Sequence, residues 1–394
     1  MARLQFGTFL APHHPLGESP TTQFQRDLDF AEHLDRWGFD EFWVGEHHSS
    51  GWEMIASPEM FLAAAGQRTH RIRLGTGVIS LPYHHPFNVA QRIVQLDHMT
   101  RGRAMFGSGP GALPSDARTL NIDALVQRDR QDEAHGVIIR LLRGEPRFDY
   151  DCEWFTLRDA ALQILPIQDD LPMVTASSIS PSGMQIAGKH GKTVDRRNWR
   201  VLMSWHLAET REQARNEAVY GLQRWHNEYN VQILGRPGAN HVDNAWELLD
   251  EITGNGAVGA GAAVIGTPDD LIAAIRNLQE LTGGFGVVLG FAHDWANKEA
   301  TARSWEMVAR YVVPALQGTV LPMQASADYV EANKATLMAS AGAAVMQKIM
   351  AHEGAQAAMV TTMQQMADRA NKRESAFRPG GGLAAETEAD TESV

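Results

Sequence analysis

Seven short apolar runs, at residues 4–10, 41–45, 72–81, 104–108, 172–176, 200–207 and 285–291, alternate with stretches of helical spacing, and this alternation constrains the chain more than any other feature. The stretch 22–37 carries Phe24, Leu28, Ala31 and Leu34 on one face. Ser57-Pro58 sets an N-cap and a first-turn proline for a helix reaching Gln67, and Pro86 opens another with Phe87, Ala90, Ile93 and Val94. Further helices are expected over 127–142, from Ser180-Pro181, over 209–229 and over 296–316. Thr267-Pro268-Asp269-Asp270 caps one more, with Leu271, Ile275 and Leu278. Repeated βα units make parallel strands, so the pattern predicts an α/β fold, a (β/α)8 TIM barrel.

Seven strands leave the barrel one short. Residues 188–198 are too few and too polar for a βα unit, so the sixth unit is expected to be missing or irregular, with a gap, a distorted wall or an open barrel there. The barrel is assigned to residues 1–318, with a hairpin insertion at about 147–168 where the pattern turns aromatic and irregular. Residues 319–377 read as an Ala/Met-rich helical extension broken near Gly354. Residues 378–394, with three glycines and Glu386, Glu388, Asp390 and Glu392, read as a disordered acidic tail.

The 35 Lys+Arg against 47 Asp+Glu give a net charge of −12, which argues against nucleic-acid binding. The chain reads straight into a strand and holds no run of 18 apolar residues, so no membrane partner and a cytoplasmic location are expected. Cys152 is the only cysteine, which excludes an intrachain disulfide and thiolate metal clusters.

In a parallel barrel the chemistry sits in the loops after the C-terminal strand ends. His13-His14, His47-His48 and His84-His85 fall after the first three strands. Adjacent residues on an extended chain point to opposite sides, so one histidine of each pair can serve only to cap a loop. Metal-dependent barrel hydrolases share an H-x-H at the first strand, and this chain has adjacent histidines, so no metal is expected. Gly107-Ser108-Gly109-Pro110-Gly111 is broken as a dinucleotide fingerprint by its proline and by the lack of an immediate helix. Together with Gly75-Thr76-Gly77-Val78 it reads better as a floor for a planar ring, ordinary barrel tapering being the plainer explanation. The hydroxyls of Ser177, Ser178, Ser180 and Ser182 lie at a helix start, where free N–H groups favour a phosphate; simple N-capping by Ser180 is the alternative. Trp52, Met54, Tyr83 and Leu113 fall in the same loops and are candidates to line an apolar substrate pocket.

Four segments then add up to a resemblance: Trp37-Gly-Phe-Asp-Glu-Phe-Trp-Val-Gly-Glu46-His47-His48, Arg71-Ile-Arg-Leu-Gly-Thr-Gly-Val-Ile-Ser-Leu-Pro82, His85-Pro86-Phe-Asn-Val-Ala90 and Leu96-Asp-His-Met-Thr-Arg-Gly-Arg103. They resemble the bacterial luciferase-like flavin-dependent monooxygenases, in their limonene-monooxygenase-like branch. The resemblance implies a luciferase-like barrel that uses reduced FMN or FAD and O2 to oxygenate a small hydrophobic, terpene-like or cyclic substrate. It implies a separate NAD(P)H:flavin reductase as a partner and a homo-oligomer, a dimer or tetramer. By the same likeness His47 is the catalytic histidine at the oxygen-reacting edge of the flavin, and Asp116 is an acidic catalytic position after strand four. Gly77 and Val78 match a non-proline cis peptide behind the ring and Ser178 matches a phosphate contact; from the residues themselves Gly107, Ser108 and Gly109 are expected beside the ring, and Ser177 and Ser182 with Ser178 at the phosphate. Pro110 stands where luciferases carry a phosphate-pairing arginine, which moves the anchoring onto residues 177–182. Two other readings remain: a deazaflavin-dependent oxidoreductase on the same barrel, and a non-catalytic flavin-binding subunit.

Overall fold

Each of the seven apolar runs folds as a parallel strand, the third of them as two. The computed structural model describes residues 3–11, 13–177, 182–190, 195–254 and 261–376, and the chain divides into two units, Met1–Thr319 and Val320–Val394.

The first unit begins with β1 (Gln5–Leu10), α1 (Pro20–Trp37), β2 (Glu41–Val44), α2 (Pro58–Arg68), β3 (Arg73–Thr76), β4 (Ile79–Ser80), α3 (Pro86–Met99) and β5 (Ala104–Gly109). It continues with α4 (Pro114–Thr119), α5 (Gln127–Leu142), the antiparallel hairpin β6 (Phe148–Asp151) and β7 (Thr156–Ala160), then β8 (Met173–Thr175) and α6 (Ser182–Lys189). The last part holds β9 (Arg200–Leu207), α7 (Arg211–Arg224), α8 (Ala245–Ile252), β10 (Ala263–Gly266), α9 (Pro268–Thr282), β11 (Val287–Phe291), α10 (Lys298–Met307) and α11 (Val313–Gln317). Helices α7 and α10 run on into π-helical turns at Trp225–Ile233 and Val308–Val312.

The wall has the order β10-β9-β11-β1-β2-β3-β5, with β8 on β5. What sequence reading takes as one third strand is two, parted by a cis peptide between Gly77 and Val78, as the resemblance implied. Strand β10 was not anticipated: four residues before the Thr267 cap, pairing the outer half of β9 while β11 pairs its inner half. Between α6 and β9 the described residues hold only a short 3-10 turn, Arg196–Asn198, and among them no ladder joins β8 to β9 or β10. Among the described residues, then, no strand closes the wall where the sixth unit was expected to be missing.

Register places side chains in two layers. Phe9, Trp43, Gly75 and Met105 stand side by side across four strands, and Trp43, Met105, Val287 and Leu289 pack inside the wall with Phe9 and Val174. The alternate residues, such as Phe6, Phe42, Leu74 and Phe106, pack outward against the helices. Burial on both faces is what a parallel sheet demands.

The second unit is two helices, α12 (Leu321–Met350) and α13 (Glu353–Ala376), so the break falls just before the expected Gly354. No residue of α12 is buried within it. The expected acidic tail, 378–394, lies outside the described residues.

Candidate functional site

The C-terminal end of β2 leads directly into Glu46-His47-His48. The backbone N–H of His47 donates to the carbonyl of Ile55 at 3.0 Å, which fixes the loop. Its Nδ1 lies 3.1 Å from Asp116 Oδ2, and its Nε2 lies 3.3 Å from Glu53 Oε1. Asp116, buried in the first turn of α4, also accepts from the His48 backbone N–H at 3.1 Å and from the Ser49 hydroxyl. A ring with a carboxylate at each nitrogen is suited to carry both protons. Burial alone would disfavour the charged ring, but the Asp116 hydrogen bond and the nearby Glu53 charge outweigh it and raise the His47 pKa. Asp116 and Glu53 are held below the usual carboxylate range against their own burial, Asp116 by His47 and Ser49, Glu53 by His13 and His47.

Glu53 is the functional-site residue that sequence reading missed. Its Oε1 also faces His13 Nε2 at 3.1 Å, and its Oε2 accepts from the Tyr229 hydroxyl at 2.5 Å. Tyr229 sits in the π-helical turn after α7 and lies against the His13 ring, centroids 4.5 Å apart.

The other histidines divide the same end of the wall. Glu46 Oε1 lies 2.8 Å from Nε2 of both His48 and His84, and its Oε2 accepts from the Ser80 N–H. Burial opposes its charge, yet the two imidazoles carry its pKa down to about 2. These three residues are close enough to share a cation. Arg92 Nη2, however, lies 3.3 Å from His84 Nδ1 and can only donate, which leaves the proton on Nε2, facing Glu46. The trio is a hydrogen-bonded cluster and is assigned no metal. His14 bridges Asp27 and Asp294, at 2.9 Å each, and these bonds overcome its burial to raise it to about 9. His85 is exposed at the N-cap of α3, its carbonyl accepting from the Asn88 and Val89 N–H groups and its ring meeting Phe155.

The Luciferase-like monooxygenase family pattern matches residues 4–194. The chain is 43% identical over 365 residues to 4-hydroxyprotoasukamycin monooxygenase of Streptomyces nodosus subsp. asukaensis, covering 84% of this chain and 97% of that one. It is 44% identical over 352 residues to limonene 1,2-monooxygenase of Rhodococcus erythropolis, covering 81% and 88%. The chain belongs to the luciferase-like monooxygenase family. In fold, this monooxygenase superposes with a TM-score of 0.66 on the oxygenating constituent of 3,6-diketocamphane monooxygenase from Pseudomonas putida, solved in complex with FMN, at 23% identity and covering 79% and 98%.

The monooxygenase brings His47 and Asp116 together, 3.1 Å apart. The ring that lies on the expected floor is the protein's own: a Cβ at Gly75 would stand 2.4 Å from the Trp43 indole, and one at Gly107 3.1 Å from it. Gly109 lies against Val78, where a Cβ would come within 2.5 Å of Cγ2. Ser108 is buried and faces α5, its hydroxyl 3.0 Å from His135 Nδ1. Ser177 is exposed just past β8; Ser178 and the side chain of Ser182 lie outside what is described. Trp52 and Leu113 are buried, and Met54 and Tyr83 half-buried.

Proposed function

We propose that this monooxygenase oxygenates a small apolar cyclic substrate with O2 and a reduced flavin, FMN or FAD, delivered by a separate NAD(P)H:flavin reductase. The observation that carries the reading is His47, held between Asp116 and Glu53 at the end of β2. The substrate class is supported by the limonene relative, limonene being an apolar monoterpene.

The residues fit a flavin. The Ser50 hydroxyl, the Trp52 N–H and the Thr175 hydroxyl are buried near the strand ends with no hydrogen-bond partner among the described residues. Orphaned polar atoms of this kind require a polar partner, which a flavin ring edge supplies as both donor and acceptor. Gly77, Val78 and Gly109 would lie behind the ring and Ser177, Ser178 and Ser182 would hold its phosphate. A reduced flavin, when bound, supplies the two electrons that let one oxygen atom of O2 enter the substrate and the other leave as water. His47 keeps a proton on Nε2 for the oxygen that leaves, while Asp116 fixes the ring through Nδ1. Trp52 and Leu113 exclude water from the reacting edge.

Gly107 to Gly111 lies at the end of β5, with α4 opening only at Pro114, and offers no dinucleotide fold. The isolated chain with NADH and oxidised FMN or FAD is therefore expected not to consume NADH until a reductase is added. Consumption at the coupled rate without one contradicts the two-component reading, and tight binding of a reduced deazaflavin in preference to FMN contradicts the cofactor.

A further inference from the structure

We propose that Glu53 is a positioning residue for His47, and that Tyr229 holds Glu53 in place, so that the π-helical turn after α7 sets the state of the histidine on β2. The inference rests on the proposed role of His47 and adds to it the group that controls the ring.

Glu53 is buried between three elements and each presents a hydrogen-bonding group to it. From the loop after β1 comes His13 Nε2, at 3.1 Å; from the end of β2 comes His47 Nε2, at 3.3 Å; from the π-helical turn comes the Tyr229 hydroxyl, at 2.5 Å. His13 and His47 share Oε1, and Tyr229 takes Oε2, so both carboxylate oxygens are engaged and the carboxylate plane is fixed. Tyr229 is itself wedged, its ring 4.5 Å from His13 and 5.5 Å from Trp52. A buried carboxylate with this many partners is costly to leave half-satisfied, so its position is well determined.

The consequence falls on Nε2 of His47. Asp116 occupies Nδ1, so Nε2 is the nitrogen that must meet the reacting oxygen, and Glu53 is the group that now holds it. A further charge acting on the ring is Glu46, one residue before it. With Glu53 charged and within ion-pair reach of Nε2, the ring keeps its second proton there until a better acceptor arrives. A π-helical turn is a common feature of functional sites, and here it supplies a hydroxyl that fixes Glu53.

The test uses Glu53→Gln, Glu53→Asp and Tyr229→Phe in the full chain, beside His47→Ala. NMR titration of 13C-labelled histidine, without flavin, reads the His47 ring directly. In Glu53→Gln its titration is expected to move to lower pH, and Glu53→Asp, which keeps the charge, is expected to restore much of that shift. Tyr229→Phe tests the second link if the Gln variant fails to fold, and is expected to give a smaller shift in the same direction. Turnover of limonene with reductase and FMN gives the second readout, product formed per hydrogen peroxide released. A loss of about 10- to 100-fold in this ratio is expected for Glu53→Gln, the range for losing a neighbouring carboxylate that fixes a functional imidazole. His47 titration and product ratio both unmoved in Glu53→Gln and in Tyr229→Phe would overturn the inference. His47→Ala with an unchanged product ratio would instead overturn the proposed role of His47, while the NMR shift still judges the Glu53 link by itself.

Discussion

At the residue scale, His47 has an acid at each ring nitrogen, and the proposed chemistry depends on the proton this keeps available. His47→Ala is expected to leave the fold intact and to lower product formation by about 10²- to 10⁴-fold, the usual worth of a positioned acid-base group, with hydrogen peroxide rising in its place. Product and peroxide measured in the same reductase-coupled assay check this. His14 gives a separate prediction about stability. Its pKa is raised from 6.5 to about 9 by Asp27 and Asp294, against the opposing effect of burial. A raised folded-state pKa stabilises fully below pH 6.5, and the gain is lost as pH climbs through 9. The thermal midpoint is thus expected to fall between pH 6.5 and 9.5, and to fall less in His14→Gln.

His47 and Asp116 were named from the family likeness that the contiguous Glu46-His47-His48 motif carries, and the fold sets the two 3.1 Å apart. Glu53 was not legible. It is one acidic residue in a loop, and its meaning comes from Tyr229, 176 positions away, and from His13, joined to it only by the fold.

At the element scale, the strands were readable because their apolar runs are continuous and well punctuated. Strand β10 was missed because four residues flanked by glycines and a helix cap carry no periodicity of their own. The reason for the glycines of β3 and β5 was also beyond the sequence, since it lies in a neighbouring strand. Trp43 stands beside Gly75 in register and fills the space where a side chain would go. Gly75→Ala would press its Cβ into the buried indole at 2.4 Å, and Gly107→Ala would press onto the Thr76 carbonyl at 2.0 Å. Each is expected to cost about 1 to 3 kcal/mol, the range for overpacking a close-packed interior. Urea unfolding measures it, and a cost near zero would mean that Trp43 and the wall yield freely.

At the scale of the whole molecule, the lack of a closing strand among the described residues agrees with the comparison of lengths. The alignment with the protoasukamycin relative spans 365 positions but covers 84% of 394 residues, about 331, so about 34 positions face gaps in this chain. One βα unit is of that size, and the stretch between β8 and β9 is where the described wall lacks one. The second unit presents Met323, Val330, Leu337, Met338 and Val345 on the exposed surface of α12, and an apolar face of this kind favours self-association. Light scattering is expected to give a dimer or tetramer, and a monomer at micromolar concentration would count against it. No described helix is long and apolar enough to cross a membrane.

The central claim is that this chain carries an oxygen atom from O2 into an apolar ring compound using reduced flavin alone. The direct measurement mixes the full chain with photoreduced FMN or FAD, limonene and related monoterpenes, and 18O2, with no NADH or reductase present. The account predicts a product bearing one 18O atom, formed in proportion to the reduced flavin supplied and strongly diminished in His47→Ala. Reduced flavin that binds but yields only labelled hydrogen peroxide, with no labelled product from any of these compounds, would contradict it.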